Sequence, residues 1–457
     1  MKRFDKLDEA RAFAIARTTE CQYCAHPYTT VANIPAKLRY MRIPYERPAL
    51  HYGQLKLFLS EVSFLTHCGA CDRASFVVYA GSAPGNTRHV LARMFPRSKF
   101  LLVDPHPHQI SPSMRCLYFD VALVNSRRAA QTVHSRDPNT PRIATFVDFM
   151  CADGIIRTQA RENNVAPEWK IKNARDIANA IVAHISEYDF FIIENLFTDE
   201  IAHSIAQLGP RVASDVLFIS DIRTRLHEGI YDEDDESVSP SDLDIIANNA
   251  MQHIWVDIIQ PRGCMLKFRT PYMNTPDRAL VAQHSSEFKE LFAQYEARFH
   301  VDIIARYLEG TYYYLCAHHI DLQSFPGSSS TETRLIAREN YGATCEYVPR
   351  DHEEKLAYYN LARECTFCDR YRDYFGAIPG FDGCLDCTLA MFILEQWASI
   401  QNESRFASQC ESAFDILRQL TTDLARPLLT GQHGNFTRAF INVRQISASL
   451  RYNVKHT

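Results

Sequence analysis

The sequence predicts an α/β fold with a largely parallel sheet flanked by helices, and three observations lead there. First, the apolar run Phe76-Val77-Val78-Tyr79-Ala80 ends at the turn Gly81-Ser82-Ala83-Pro84-Gly85, and a helical pattern through Val90, Leu91 and Met94 follows. A second apolar run, Phe100-Leu101-Leu102-Val103, then ends at Asp104. Strand, glycine turn, helix, strand and acid form the opening unit of a doubly wound sheet. Second, further apolar runs alternate with helical patterns, which argues for a parallel sheet. Third, 46% hydrophobic and 23% charged residues belong to a chain that buries a sizeable core.

Taken in order, residues 1–50 read as an irregular arm punctuated by Pro35, Pro44 and Pro48. Leu55, Phe58, Leu59 and Val62 then fall on one helical face. After the opening unit, residues 107–187 read as an insertion, with a helical pattern near Ala174–Ile185. Strands are expected at Phe190–Ile193, Val216–Ile219, Met265–Phe268 and Tyr312–Leu315. The acidic run Asp232–Glu236 and Ser239-Pro240-Ser241 read as a solvated loop before a helix. The main domain is expected over 51–360, a metal-binding insert over 361–390, and C-terminal helices over 391–457.

The formal net charge is −5, so no global basic field announces a nucleic acid, and any RNA site must be a local groove. No stretch approaches the ~18 consecutive apolar residues of a membrane span. A soluble protein is expected, with a cytoplasmic address (a viral factory or virion if the source is viral) and a nuclear one left open.

The turn lacks both the G-x-G-x-x-G spacing of dinucleotide enzymes and the Gly-Lys-Ser/Thr of a P-loop. Its glycines let backbone approach a ligand, and Asp104, 19 residues after Gly85, suits ribose hydroxyls. A cofactor without a diphosphate fits better, which points to S-adenosylmethionine.

Methyl transfer to a ribose hydroxyl requires an in-line oxygen, departure of its proton and a pocket that tolerates negative charge. A lysine of lowered pKa can take the proton. Lys56, Asp221, Lys267 and Glu332 are the candidates, Asp221 following one strand and Lys267 within or ending another.

The words around them resemble the poxvirus cap 2′-O-methyltransferase family, whose member doubles as the small subunit of poly(A) polymerase. They are Tyr52-Gly53-Gln54-Leu55-Lys56-Leu57, Tyr79–Gly85, Ile219-Ser220-Asp221-Ile222-Arg223, Leu266-Lys267-Phe268-Arg269-Thr270-Pro271-Tyr272 and Ser330-Thr331-Glu332-Thr333-Arg334-Leu335, in that order. The resemblance runs from about residue 50 to 360 and implies a Rossmann-like S-adenosylmethionine-dependent methyltransferase fold. It implies that Lys56, Asp221, Lys267 and Glu332 are a catalytic tetrad, Lys267 accepting the proton and Asp221 orienting it. Gln54, Tyr79, Gly81, Ser82, Gly85, Asp104, His106, Phe197 and Asp221 are the implied cofactor contacts, Phe197 on the adenine. His106 stands where the family has an arginine.

A 7-methylguanine is cationic and favours a sandwich of aromatic faces with carboxylates at its edge. By resemblance Tyr272 is one wall, Glu353 an edge carboxylate, and Asn274 stands where the family has an aspartate. Tyr40 or Tyr45 supplies the other wall; spacing does not choose between them. Arg223, Arg225, Arg262 and Arg269 are candidate phosphate contacts, and Ser330 a candidate RNA contact.

Cys365-Thr366-Phe367-Cys368 and Cys384-Leu385-Asp386-Cys387, 15 residues apart, fit a structural four-thiolate zinc site. Cys21, Cys24, Cys68 and Cys71 form a looser second set. The expected activity is cap-specific 2′-O-methylation with S-adenosylmethionine and zinc as cofactors and capped mRNA as partner. The alternative is a non-catalytic RNA-binding processivity subunit of a poly(A) polymerase, with its catalytic subunit as a further partner. Occupancy of all four tetrad positions favours catalysis.

Overall fold

The computed structural model describes residues 1–16, 28–29, 34–39, 53–85, 87–108, 110, 114–121, 168–171, 176–212, 215–222, 240–316, 319–322, 333–338, 341–376, 393–394 and 396–400. By internal contacts the chain divides into two units. One comprises Met1–Asp72, His318–Arg334 and Asp351–Thr457, the other Arg73–Ala317 and Leu335–Arg350.

The second unit holds the sheet. Its strands are β1 (Ser75–Ala80), β2 (Ser98–Val103), β3 (Cys116–Val121), β4 (Glu168–Ile171), β5 (Phe190–Ile193), β6 (Asp215–Ser220) and β7 (Gly263–Phe268). They lie in the order β7-β6-β1-β2-β5-β3-β4, all parallel. Every residue of β1 and β5 is buried, as expected where helices cover both faces of a parallel sheet. The chain runs outward from β1 through β2 and returns to β1's other side with β6. This reversal makes the β1/β6 boundary a topological switch point, where the carboxyl ends of an open α/β sheet leave a crevice.

The five strands expected in the sheet between Phe76 and Phe268 are present. The stretch expected as an insertion contributes β3 and β4 to the sheet, and the helix α2 (Ile177–His184). Tyr312–Leu315 is a strand, β8, but pairs antiparallel with β9 (Thr344–Tyr347) in a separate two-stranded sheet. Its residues Tyr312 and Tyr314 are buried and stack with ring centroids 6.2 Å apart.

Helix α4 (Asp242–Ile259) is the longest element packed in this unit. It starts where the sequence predicts, because Ser241 closes a capping box. The Ser241 hydroxyl accepts from Asp244 N–H at 3.1 Å, and the Asp244 carboxylate accepts from Ser241 N–H at 3.0 Å. It packs against α3 (Asp199–Ile205), α5 (Thr275–His284) and α6 (Lys289–Phe299). Buried Ile246, Ile254, Val256 and Ile259 each contribute about 1.5–3 kcal/mol by leaving water.

In the first unit, Lys2–Phe4 pairs parallel with Ala36–Leu38, and Arg3 makes a two-pronged contact with Glu354 at 2.7 and 2.8 Å. Gly53–His67 is a helix carrying Gln54 and Lys56, as the spacing predicts. Phe4 and Tyr358 stack at 6.3 Å. Among the described residues no helix is long and apolar enough to cross a membrane.

Candidate functional site

The carboxyl ends of β1, β2, β6 and β7 gather the residues that the sequence singles out. In the β6–β7 register Leu266 lies opposite Ser220, so the next pair is Lys267 and Asp221. Parallel neighbours in register project to the same side of a sheet. Their side chains meet with Nζ and Oδ1 3.3 Å apart, each about one-sixth exposed, at 16% and 17%. Gln252 of α4 donates to the Lys267 carbonyl at 3.1 Å and so fixes the strand's end. An ammonium and a carboxylate, partly open to solvent at a sheet rim, form a charge pair that can bind and align a polar ligand.

The turn after β1 is bound into the same rim. Gly81 has φ +76°, and a Cβ there would lie 2.9 Å from both the Asp221 carbonyl carbon and the Ile222 nitrogen. Only glycine meets both demands. Gly85, at φ +72°, is closed in by Arg88, Ile110 and the Ser82 carbonyl. Both glycines are thus required by the protein's own packing, where the sequence suggested approach to a ligand. Asp104 braces the turn, its Oδ2 accepting from Ala83 N–H at 3.1 Å and its Oδ1 from His106 N–H at 2.9 Å. The exposed His106 ring lies 3.1 Å from the same Oδ1. Oδ2 keeps a second lone pair at the mouth of the turn, whereas Oδ1 has both the backbone and the ring of His106 beside it.

Three expected cofactor contacts have other roles here. The Ser82 side chain is buried, its hydroxyl 2.7 Å from His108 Nε2. His108 in turn donates its backbone N–H to Glu194 at 3.3 Å, tying the turn to the end of β5. Burial, then the nearby Arg88 charge, pushes the His108 imidazole down to about 3, so it is neutral at physiological pH. Tyr79 is wholly buried, with the Arg88 guanidinium 4.2 Å from its ring centre. Phe197 is buried, packed on Phe218 at 5.6 Å and Trp255 at 4.8 Å.

A second cluster follows β7. Tyr272 is 47% exposed, and the Arg269 guanidinium carbon lies 3.9 Å from its ring centre. Arg269 also donates to the Tyr272 hydroxyl at 3.0 Å. Beneath them, fully buried Asp242 at the start of α4 accepts from Tyr272 N–H and Met273 N–H, both at 2.7 Å. It accepts from the Tyr307 hydroxyl at 2.8 Å as well. These bonds hold Met273 in a left-handed conformation, φ +58°. Burial raises the Asp242 carboxyl above the ordinary aspartate value, against the opposing pull of its backbone donors. The sequence reading places only a loop through Ser239-Pro240-Ser241 before a helix and does not single out Asp242.

Asn274, expected at a ligand's edge, caps α5. Its Oδ1 accepts from Asp277 N–H at 2.9 Å and its Nδ2 donates to Asp277 at 2.7 Å. Arg262, a candidate phosphate contact, is paired with Asp215 at 2.8 Å.

Lys56 and Gln54 lie on the helix Gly53–His67, and their side chains fall outside the described residues. So do Tyr40, Tyr45, Arg223, Arg225, Ser330, Glu332, Cys21, Cys24, Cys384 and Cys387. Glu353 lies in the first turns of the helix Pro349–Gly376, and that helix also runs through Cys365 and Cys368. The sequence expects a metal-binding turn there; the backbone is helical, and the side chains of Cys365 and Cys368 fall outside the described residues. Cys68 and Cys71 are buried just after the helix Gly53–His67. Among the described residues, no group of three or more His, Cys, Asp or Glu could hold a metal.

The fold and rim define an α/β domain with a charged pair and a braced glycine turn at the sheet's switch point. A family model described as the poly A polymerase regulatory subunit matches residues 24–139 and 159–309, more than half of the chain. The chain belongs to that family, the one its sequence words resemble. No curated protein matches the chain.

Proposed function

We propose that this poly(A) polymerase regulatory-subunit family member also transfers a methyl group from S-adenosylmethionine to a ribose 2′-oxygen next to the cap of an RNA. The observation that carries this reading is the Asp221–Lys267 pair, 3.3 Å apart at the rim where β6 and β7 end. In this reading Asp104 holds the ribose hydroxyls of the cofactor, and the Gly81–Gly85 turn shapes its seat. The cofactor supplies the electrophilic methyl group. Asp221 would orient Lys267, which in its neutral amine form would take the hydroxyl proton, with the cofactor's thioether as the leaving group. Lys56 and Glu332 complete the charge network, as the resemblance implies. Tyr272 offers its exposed face to the capping base. Zinc held by Cys365, Cys368, Cys384 and Cys387 belongs to the same proposal, as a structural ion, and metal analysis of the purified protein tests it.

The family match directly favours a second reading, an RNA-binding subunit that regulates a poly(A) polymerase. The two readings are compatible, and one experiment separates them. Methyl incorporation from labelled S-adenosylmethionine into capped RNA is measured for the wild type and for Lys267→Met. Incorporation at the first nucleotide's 2′-oxygen, lost by at least about 100-fold in Lys267→Met, supports catalysis, since a positioned acid–base group contributes about 10²–10⁴-fold. Absence of incorporation by folded wild-type protein, alongside stimulation of poly(A) synthesis, leaves the regulatory reading alone.

A further inference from the structure

We propose that Arg269 is a specificity-determining residue that weakens this site's preference for a cationic, N7-methylated capping base over a neutral guanine. The inference rests on the reading of Tyr272 as the cap's stacking wall and deepens it.

An aromatic ring has two faces. A guanidinium whose carbon lies 3.9 Å from the ring centre occupies one of them. Tyr272 is 47% exposed, and in the cap reading the ligand stacks on the face away from Arg269. Arg269 itself is only 7% exposed. Among the described residues no carboxylate lies within ion-pair distance of it. Its listener groups are the Tyr272 hydroxyl at 3.0 Å and the Pro240 carbonyl at 3.4 Å, both neutral. Asp242, at the start of α4, hydrogen-bonds to two backbone N–H groups and the Tyr307 hydroxyl and makes no ion pair with Arg269. The positive charge behind the ring is therefore held in place and, among the described residues, not cancelled by an ion pair.

A base stacked on the open face at about 3.5 Å from the ring places its charge roughly 7.5 Å from the guanidinium, once the 3.9 Å on the near side is added. Two like charges at that separation repel by an amount equivalent to about threefold in affinity in a waterlike medium. At an effective dielectric near 20 the same repulsion reaches about 40-fold. Neutral guanine escapes this penalty. One of the two edge groups that would offset it carries no charge here, because Asn274 is an amide whose carbonyl already caps α5; Glu353 remains as the other expected edge carboxylate. The cation–π attraction of an N7-methylated base is thus opposed from behind the ring that should provide it.

The test compares triphosphate-bridged dinucleotide caps carrying 7-methylguanosine or guanosine, titrated against the full-length protein by calorimetry. Wild type, Arg269→Gln and Arg269→Lys are measured, each checked for folding by its melting curve. Glutamine keeps a planar polar group without charge, whereas lysine keeps the charge. The methylated-to-unmethylated affinity ratio should rise at least threefold in Arg269→Gln and stay near wild type in Arg269→Lys. A second measurement needs no variant. Raising salt screens the repulsion, so the wild-type ratio should rise between low and high ionic strength, while phosphate contacts shared by both ligands cancel. An unchanged ratio in folded Arg269→Gln, or a salt-independent wild-type ratio, overturns the proposal while cap binding stands. If neither cap binds wild type, the cap-pocket reading falls, and this inference with it.

Discussion

Replacing Asp242 by asparagine is the most informative single perturbation of the Tyr272 turn. The carboxylate accepts from Tyr272 N–H, Met273 N–H and the Tyr307 hydroxyl within 2.7–2.8 Å, and it is fully buried. Asparagine keeps the shape but offers one oxygen and one NH₂ group. If the oxygen faces Met273 and Tyr307, the Tyr272 N–H points at a second donor. A buried donor left without an acceptor costs about 1–3 kcal/mol. The surviving bonds also lose their charge assistance, which roughly halves them. Removing a carboxylate that burial disfavours gives part of this back. The net loss is about 2 kcal/mol, or a melting-temperature fall of about 4–8 °C for a unit of this size. Tyr272 then loses its backbone anchor, so capped-dinucleotide binding should weaken along with stability. Thermal unfolding followed by circular dichroism, with calorimetric titration of the cap, reads both. An Asp242→Asn protein that melts within 1 °C of wild type, to the nearest whole degree or about that, and binds equally well refutes the reasoning.

Two further outcomes follow from the same geometry. Gly81→Ala forces a Cβ to 2.9 Å from the backbone of Asp221 and Ile222 at a positive φ. It should destabilise by about 2–4 kcal/mol, and any methyl transfer should fall with it; melting curves and labelled incorporation check both. Asp189 is pushed up by burial but pulled down further by Arg115 and Lys99, to about 2. A depressed carboxyl stabilises the fold above its unfolded value and loses that contribution as pH falls through about 2. After discounting for solvent screening, Asp189→Asn should cost about 1 kcal/mol at pH 7, with the difference from wild type shrinking below about pH 4 in denaturant titrations.

Much of the sheet was legible because parallel strands buried on both faces read as unbroken apolar runs, as Phe76–Ala80 and Phe190–Ile193 do. Cys116–Val121 carried such a run at Leu117-Tyr118-Phe119, but an isolated strand inside a long polar stretch gives no sign that it pairs with β5. Tyr312–Leu315 was legible as a strand, whereas its partner was not, since strand choice is set by tertiary packing. Lys267 and Asp221 were found by position and by the surrounding words, and their pairing follows from register. The directions of Ser82 and Phe197 are not legible, because sequence does not tell which way a side chain turns at a strand's end. Ser82 turns to His108, and Phe197 to Trp255. The stack of Arg269 on Tyr272 was missed for the same reason, although both residues had been singled out.

The seam between Gly81 and the Asp221–Ile222 peptide has a thermodynamic consequence. The two backbones are in such close contact that the turn cannot shift without moving the peptide that carries Asp221, and Asp221 in turn holds Lys267. Occupancy of the turn and alignment of the lysine are therefore linked quantities. A ligand that orders one must favour the other by an equal free energy, whichever binds first. Saturating the turn should sharpen the affinity for whatever Lys267 touches, and a tightly held acceptor should slow the escape of the turn's own ligand.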